Sequence, residues 1–367
     1  MGMDLEKLCR GRILHVMHND KFNAAYIDLI RKHFDPRDHT FLFYSGYSEE
    51  EFKIPEYENI WVLTDPEHLP IVKLFFDAAR QVIFHSLFYQ EVVCYLSETN
   101  ADLSKALWMV WGGDMYQDRD LKEDVYFPIK VGFVRKLRGL IHVARQDSAV
   151  ARDLYGYSGP FYHALYRNPL EREDLDTFAA QRVKPKNTVI QINNSCDESI
   201  LPILEQLSRF KDQPIQVRVI LSYGALQLRE EVQEFGTRLF GSRFVALTAY
   251  LSPRDYAKCM ADTDIAIMNQ PRQQGLGNIY AFLYLGTKVY IRKDVTTWEF
   301  LKEEGFTVSD TLQLAGESFA GLIGQDLEPK AKNHQEAIRF FDDAHLAASW
   351  RKVFDAGCQR PPAKPDA

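Results

Sequence analysis

Asp264-Ile265-Ala266-Ile267-Met268, then Pro271-Arg272-Gln273-Gln274-Gly275-Leu276-Gly277-Asn278, then Ile279-Tyr280-Ala281-Phe282-Leu283-Tyr284-Leu285 form one legible unit of this chain. An apolar strand runs through a glycine-rich loop into an apolar helix that stops at Gly286. A short unbroken apolar run reads as a strand buried on both faces, as in a parallel sheet. The loop sets two glycines and several side-chain amides at a helix N-terminus. A helix start carries unpaired N–H groups and the positive end of the dipole, which suits a phosphate. Arg272 adds a planar, permanently charged fork for the same anion. A glycine-rich turn also serves chain geometry alone. The order Gly-x-Gly-x-x-Gly is absent and no Gly-Lys-Ser/Thr follows, so this is neither the dinucleotide fingerprint nor a P-loop.

The same strand-then-helix rhythm extends in both directions. Strands are predicted at 12–17, 40–44, 59–63, 81–85, 107–111 and 140–144, with helices at 21–33, 70–79 and onward from His85 through Tyr95. A polar stretch, 169–187, contains Pro185 and reads as a linker or a solvated helix plus linker. The rhythm then restarts, with strands at 188–192, 215–221, 244–247, 264–268 and 288–291 and helices at 199–210 and 255–261. The prediction is an α/β chain of two Rossmann-like domains with a cleft between them. Their expected bounds are 1–180 and 186–330. A helical segment, 331–358, is expected to return to the first domain, with one long helix over 331–356. The Pro-rich end, 359–367, is expected to be disordered.

Bulk properties narrow the function. The chain has 367 residues and a net charge of -7, which argues against a nucleic-acid partner. No apolar run reaches the ~18–20 residues that span a bilayer. Charges near the start occupy the place of a signal peptide's apolar region, so a cytoplasmic location is expected. Cys9, Cys94, Cys196, Cys259 and Cys358 lack paired spacing, which argues against zinc ligation and a disulfide framework. No metal ligand set and no cofactor is expected.

Other strand ends carry chemistry. Asn193-Asn194-Ser195-Cys196-Asp197-Glu198-Ser199 follows a strand; it suits a turn and helix cap, or a loop that binds phosphate and sugar hydroxyls. Ser222-Tyr223-Gly224 holds the equivalent place after the next strand, and Tyr223 can stack on a base. In the first half, Trp108-Met109-Val110-Trp111-Gly112-Gly113-Asp114-Met115-Tyr116 puts a carboxylate after a strand end, as a general base or as an Asx cap. His85 ends another strand, and His15, His18, Asn19 and Asp20 cluster around the end of the first. Arg145 and Asp147 follow the sixth strand and can pair with each other. Residues 127–138 mix apolar side chains with Lys130, Arg135, Lys136 and Arg138. They read as an ordinary amphipathic helix or as a membrane-surface face.

Phe84-His85, the Trp108-x-x-Trp111-Gly112-x-Asp114-x-Tyr116 pattern, Asn194-Ser195-x-Asp197, Tyr223 and Arg272-Gln273-Gln274-Gly275-x-Gly277 together resemble the bacterial 4-alpha-L-fucosyltransferase family. The resemblance spans residues 12–355 in the same order. It implies a GT-B glycosyltransferase: acceptor on the first domain, nucleotide sugar on the second, and no obligatory metal. It further implies a TDP-linked donor, a lipid-linked glycan acceptor and peripheral association with the inner face of the cytoplasmic membrane. On this basis Asn194, Ser195, Tyr223, Gly224, Arg272, Gln273, Gln274, Gly275, Gly277 and Asn278 are expected to hold the donor. Asp114 is the first candidate for general base, followed by His85 and Asp20. A GT-B-fold sugar-nucleotide epimerase and a non-catalytic nucleotide-sugar-binding regulator are the competing readings.

Overall fold

The computed structural model describes residues 9–44, 52–63, 65–183, 186–324 and 327–358. Pro185 and the tail 359–367, expected to be linker and disordered end, lie outside these residues. Two compact units emerge: residues 1–167 with 342–367, and residues 168–341.

Unit 1 is built on a seven-stranded sheet. Its strands are β1 (Ile13–Met17), β2 (His39–Tyr44), β3 (Ile60–Leu63), β4 (Gln81–His85), β5 (Ala106–Val110), β6 (Gly139–His142) and β7 (Phe161–His163). Every pairing is parallel and the order is β3-β2-β1-β4-β5-β6-β7. Strands β1, β2, β4 and β5 are buried along their whole length, as helices on both faces require. The core gathers Leu14, Val16, Phe76, Phe84, Trp108 and Phe133.

Unit 2 repeats the plan with six strands: β8 (Thr188–Ile192), β9 (Ile215–Ile220), β10 (Phe244–Leu247), β11 (Ile265–Met268), β12 (Lys288–Ile291) and β13 (Ser309–Asp310). The order is β10-β9-β8-β11-β12-β13, again all parallel. In each sheet the strand order reverses once, between β1 and β4 and between β8 and β11. Open parallel sheets bind ligands at that reversal, outside the carboxyl ends of the strands.

The structure adds β7 and β13 to the expected strands and departs from expectation at the linker, at the domain division and in the C-terminal helices. The stretch 169–187 contains the helix Arg172–Gln181, which docks in unit 2 through Leu175, the Tyr284 hydroxyl on Asp176 (2.6 Å) and the Arg254–Asp174 ion pair (2.7 Å). The division therefore falls at 167/168, before this helix, rather than after residue 180. The single helix expected over 331–356 is two helices, Leu327–Ile338 and Asp343–Cys358. Between them Phe340 stacks on Tyr280 in unit 2, with ring centroids 3.9 Å apart, while the Asp342 side chain accepts the Ala344 N–H and starts a new helix. Helix Asp343–Cys358 packs in unit 1, where buried Trp350 donates to the Leu165 carbonyl (2.9 Å) and Gln81 donates to the Val353 carbonyl (3.0 Å).

Candidate functional site

The reversal in unit 2 brings the loops after β8 and β11 together through side-chain amides. Asn193 takes a left-handed conformation (φ 51°), which Asn tolerates. Its Oδ1 accepts the Asn269 N–H (2.7 Å), and its Nδ2 donates to Asp197 and to Ser199 Oγ (2.8 Å). Asn194 donates to the Tyr223 hydroxyl (2.9 Å) and accepts from Gln270 (2.6 Å). Gln274 donates to Ser195 Oγ (2.6 Å).

Gly275 starts the helix Leu276–Leu285 at φ 70°, and a Cβ there would lie 2.8 Å from Asn194 Oδ1. Both the backbone angle and the space thus call for glycine. The N-cap residue, Gly275, has no side chain to cap the first turn, and a helix start of this kind suits an anion. Arg272 donates to the Gln273 carbonyl (3.1 Å) and acts on Asp197 electrostatically. Burial raises the Asp197 carboxyl pKa, opposed by hydrogen bonds from Ser199 and Asn193 and by Arg272.

Gly277 and Asn278 lie on the first helical turn, and the Gly277 carbonyl accepts from Asn168 (2.8 Å). Gly224, at φ 96°, is needed for chain geometry: a Cβ would come within 2.4 Å of the Cys196 carbonyl. Of the residues expected to hold a donor, Asn194, Ser195, Tyr223, Gln274 and Gly275 meet directly. Gln273 is buried and contributes its carbonyl to Arg272.

In unit 1, Asp114 is fully buried. Its carboxylate accepts the Leu87 N–H (2.9 Å), the Trp108 indole N–H (2.7 Å) and the Trp111 N–H (2.9 Å). Lys130 bonds the Asp114 carbonyl and pairs with Asp118 (2.8 Å). Burial raises the Asp114 pKa, with Lys130 and the three N–H donors opposing. A general base must reach a substrate proton, and both Asp114 oxygens are engaged inside the protein. In this arrangement Asp114 ties the ends of β4 and β5 together through Leu87, Trp108 and Trp111.

His85 is likewise fully buried. Asp20 is half-buried, takes the Phe22 N–H (3.1 Å) and has its pKa raised by burial. His18, lowered by burial to about 4, shares a hydrogen bond with Ser86 Oγ (3.1 Å). Ser86 itself sits at φ 78°, an angle that costs a non-glycine residue energy and concentrates at functional sites.

Aromatic rings surround these groups. His18 and Trp111 lie 4.8 Å apart between centroids, Phe22 and Trp111 5.9 Å, and Trp111 and Tyr166 5.6 Å. Tyr166 and Phe22 are the residues that sequence reading missed. Tyr166 follows β7, a strand too short to announce itself, and Phe22 reads as one more apolar position of a helix.

The helix Tyr126–Lys136 divides its cations. Lys130 is buried, Arg135 donates to the Tyr155 carbonyl (2.6 Å), and Lys136 is exposed. Val125 and Ile129 are exposed beside it. Among the described residues no helix is long and apolar enough to cross a membrane, and no group of three or more His, Cys, Asp or Glu is placed to hold a metal.

Residues 52–358 match the model of the family described as 4-alpha-L-fucosyltransferase, glycosyl transferase group 56. The fold is that of GT-B glycosyltransferases. A glycosyltransferase from Rickettsia africae is 12% identical with a TM-score of 0.62, covering 95% of this chain and 99% of that one. The Anabaena protein HepE, in complex with UDP and glucose, is 12% identical with a TM-score of 0.67, covering 95% and 100%. A trehalose-6-phosphate protein from E. coli, bound with UDP-2-fluoro glucose, is 10% identical with a TM-score of 0.65, covering 96% and 100%.

Proposed function

The chain belongs to the 4-alpha-L-fucosyltransferase family of group 56 glycosyltransferases, and from that premise we propose what it transfers. The donor is a TDP-linked sugar, an N-acetylated deoxyhexose, and the acceptor is a hydroxyl of a lipid-linked glycan precursor. The observation that carries this reading is the uncapped N-terminus of helix Leu276–Leu285, set among Asn194, Ser195 and Gln274. Backbone N–H groups and the dipole there take the growing charge of a departing diphosphate, and Arg272 supplies a full positive charge. The two UDP-bound neighbours of this fold support a nucleotide sugar as ligand. Because these groups do the work of charge stabilisation, transfer is proposed to need no metal.

Asp20 is proposed to take the proton of the attacking hydroxyl, a reading supported by its partial exposure and raised pKa. The rings of Phe22, Trp111 and Tyr166 offer apolar faces to an acceptor sugar. Peripheral membrane contact is proposed through exposed Val125 and Ile129 with Lys136, which a vesicle flotation assay with and without anionic lipid tests.

The deciding experiment is a panel of nucleotide sugars with a lipid-linked acceptor, run with and without chelator. Transfer that survives chelator and prefers TDP-linked donors is the expected result. Donor turnover without acceptor would instead indicate an epimerase, and tight donor binding without any turnover would indicate a regulator.

A further inference from the structure

A thread of polar rings crosses the apolar core of unit 1. His39 Nδ1 lies 2.9 Å from His15 Nε2, and His15 Nδ1 lies 3.0 Å from His85 Nε2. His85 Nδ1 is hydrogen-bonded to the Tyr166 hydroxyl, which also receives the Trp111 indole N–H at 2.9 Å. The Tyr26 hydroxyl approaches His15 Nδ1 at 3.3 Å. The three histidines are at most 2% exposed, whereas Tyr166 and Trp111 are half-buried. Burial lowers the pKa of His39 and of His85 to about 3, and that of His15 well below its usual value. All three rings are neutral at neutral pH, each with one N–H and one lone pair.

The indole sets the direction of the thread. An indole N–H only donates, so the Tyr166 oxygen accepts from Trp111. The Tyr166 proton then goes to His85 Nδ1, the His85 Nε2–H to His15 Nδ1, and the His15 Nε2–H to His39 Nδ1. The reverse order would make the phenol oxygen accept from both Trp111 and His85 and turn its own proton away from both. In the forward order the phenol proton is committed inward, and the oxygen's remaining capacity is to accept. Tyr166 stands beside Phe22 and Trp111, with ring centroids 5.9 and 5.6 Å away. Asp20 is close enough to act on it electrostatically.

We propose that Tyr166 binds the acceptor by taking a hydrogen bond from a sugar hydroxyl, and that His85, His15 and His39 are positioning residues that hold the phenol in this accepting state. The ligand class is a polyhydroxy sugar that presents an O–H to the loops after β1, β4 and β5. The assignment rests on the glycosyl-transfer reading above. It adds a specificity element: an acceptor in which that hydroxyl is methylated or removed loses the contact.

Two measurements test it. Selective nitrogen-15 labelling of histidine, read by NMR at pH 7, should show Nε2–H tautomers for His85 and His15. An Nδ1–H tautomer on His85 would overturn the proposal. In steady-state kinetics Tyr166→Phe, which removes one oxygen from a half-buried ring, should raise the acceptor KM about tenfold while the donor KM stays constant. The deoxy acceptor should lose the same factor with the wild-type enzyme and nothing further with Tyr166→Phe. His39→Gln, at the far end of the thread, should shift the acceptor KM in the same direction and by less. An acceptor KM that Tyr166→Phe leaves unchanged would overturn the acceptor role. Failure of the wild-type protein to transfer to any hydroxyl would instead strike the glycosyl-transfer reading, and the tautomer readout would still decide the direction of the thread.

Discussion

At its reversal the first sheet presents His18, Asp20, Ser86, Trp111 and Tyr166. At the equivalent place the second presents Asn194, Ser195, Gln274, Gly275 and Arg272. The second set holds its shape through neutral amides and glycine backbone, with one guanidinium that does not titrate. Such a site offers fixed donors to a permanent anion at any working pH. The first set is aromatic and titratable, and its buried histidines are held neutral. That chemistry suits a ligand of hydroxyls and apolar sugar faces, and a step in which a proton must move. Two sheets of like strand order thus end in loops of different chemistry, because ligand chemistry resides in the loops and not in the strand order.

Four experiments break or sharpen this contrast. The largest effect is expected from Asp20→Asn, which should lower turnover about 10²–10⁴-fold with donor affinity unchanged by calorimetry. Normal turnover would remove the base from the first reversal. With Asp20 as the proposed base, its pKa raised by burial, activity should fall as pH drops through a limb that lies above that of an ordinary carboxylate, which a pH–rate profile checks.

Asp114→Asn should act on stability instead. An amide cannot accept well from all three of Leu87, Trp108 and Trp111, so denaturant unfolding should show a loss of about 2–4 kcal/mol. Unchanged stability with lost turnover would restore Asp114 to the chemistry. Arg272→Ala should weaken nucleotide-sugar binding about 10–100-fold, and an unaltered affinity would argue against the anion cradle.

The smallest effect is a slope. His39 and His85 titrate at about 3 when folded and at about 6.5 when unfolded. Between those values the unfolded chain binds protons that the folded one does not. Stability therefore rises with pH in that window, and is lost as pH falls below about 6.5, by at most about 1.4 kcal/mol per pH unit per histidine. Unfolding midpoints at pH 7 and pH 5 check this, and His39→Gln should flatten the slope.

Much of the loop architecture at the second reversal was legible in sequence, because its parts are local. Asp264 to Leu285 contains strand, loop, glycines and helix in one run, and Asn194-Ser195 follows the neighbouring strand with the same turn chemistry. The surroundings of Asp114 were not legible for a physical reason: the pattern Trp-Gly-Gly-Asp tells that a carboxylate follows a strand, but not that three N–H donors surround it. The break at 339–342 was hidden because helical periodicity runs across it, and only the stacking of Phe340 on Tyr280 and the Asp342 cap interrupt it.

By itself, then, the sequence determined the two α/β units, the glycine-rich loop that opens the helix Leu276–Leu285, and the family, since strand burial, helix periodicity and turn residues are properties of neighbours in the chain. Tertiary structure alone decided which carboxylate meets solvent, where the C-terminal helical segment breaks in two, and that His15, His39, His85, Tyr166 and Trp111 form one hydrogen-bonded thread. Those facts depend on atoms that parallel pairing brings within about 3 Å from five separate segments, a distance that no spacing along the chain encodes.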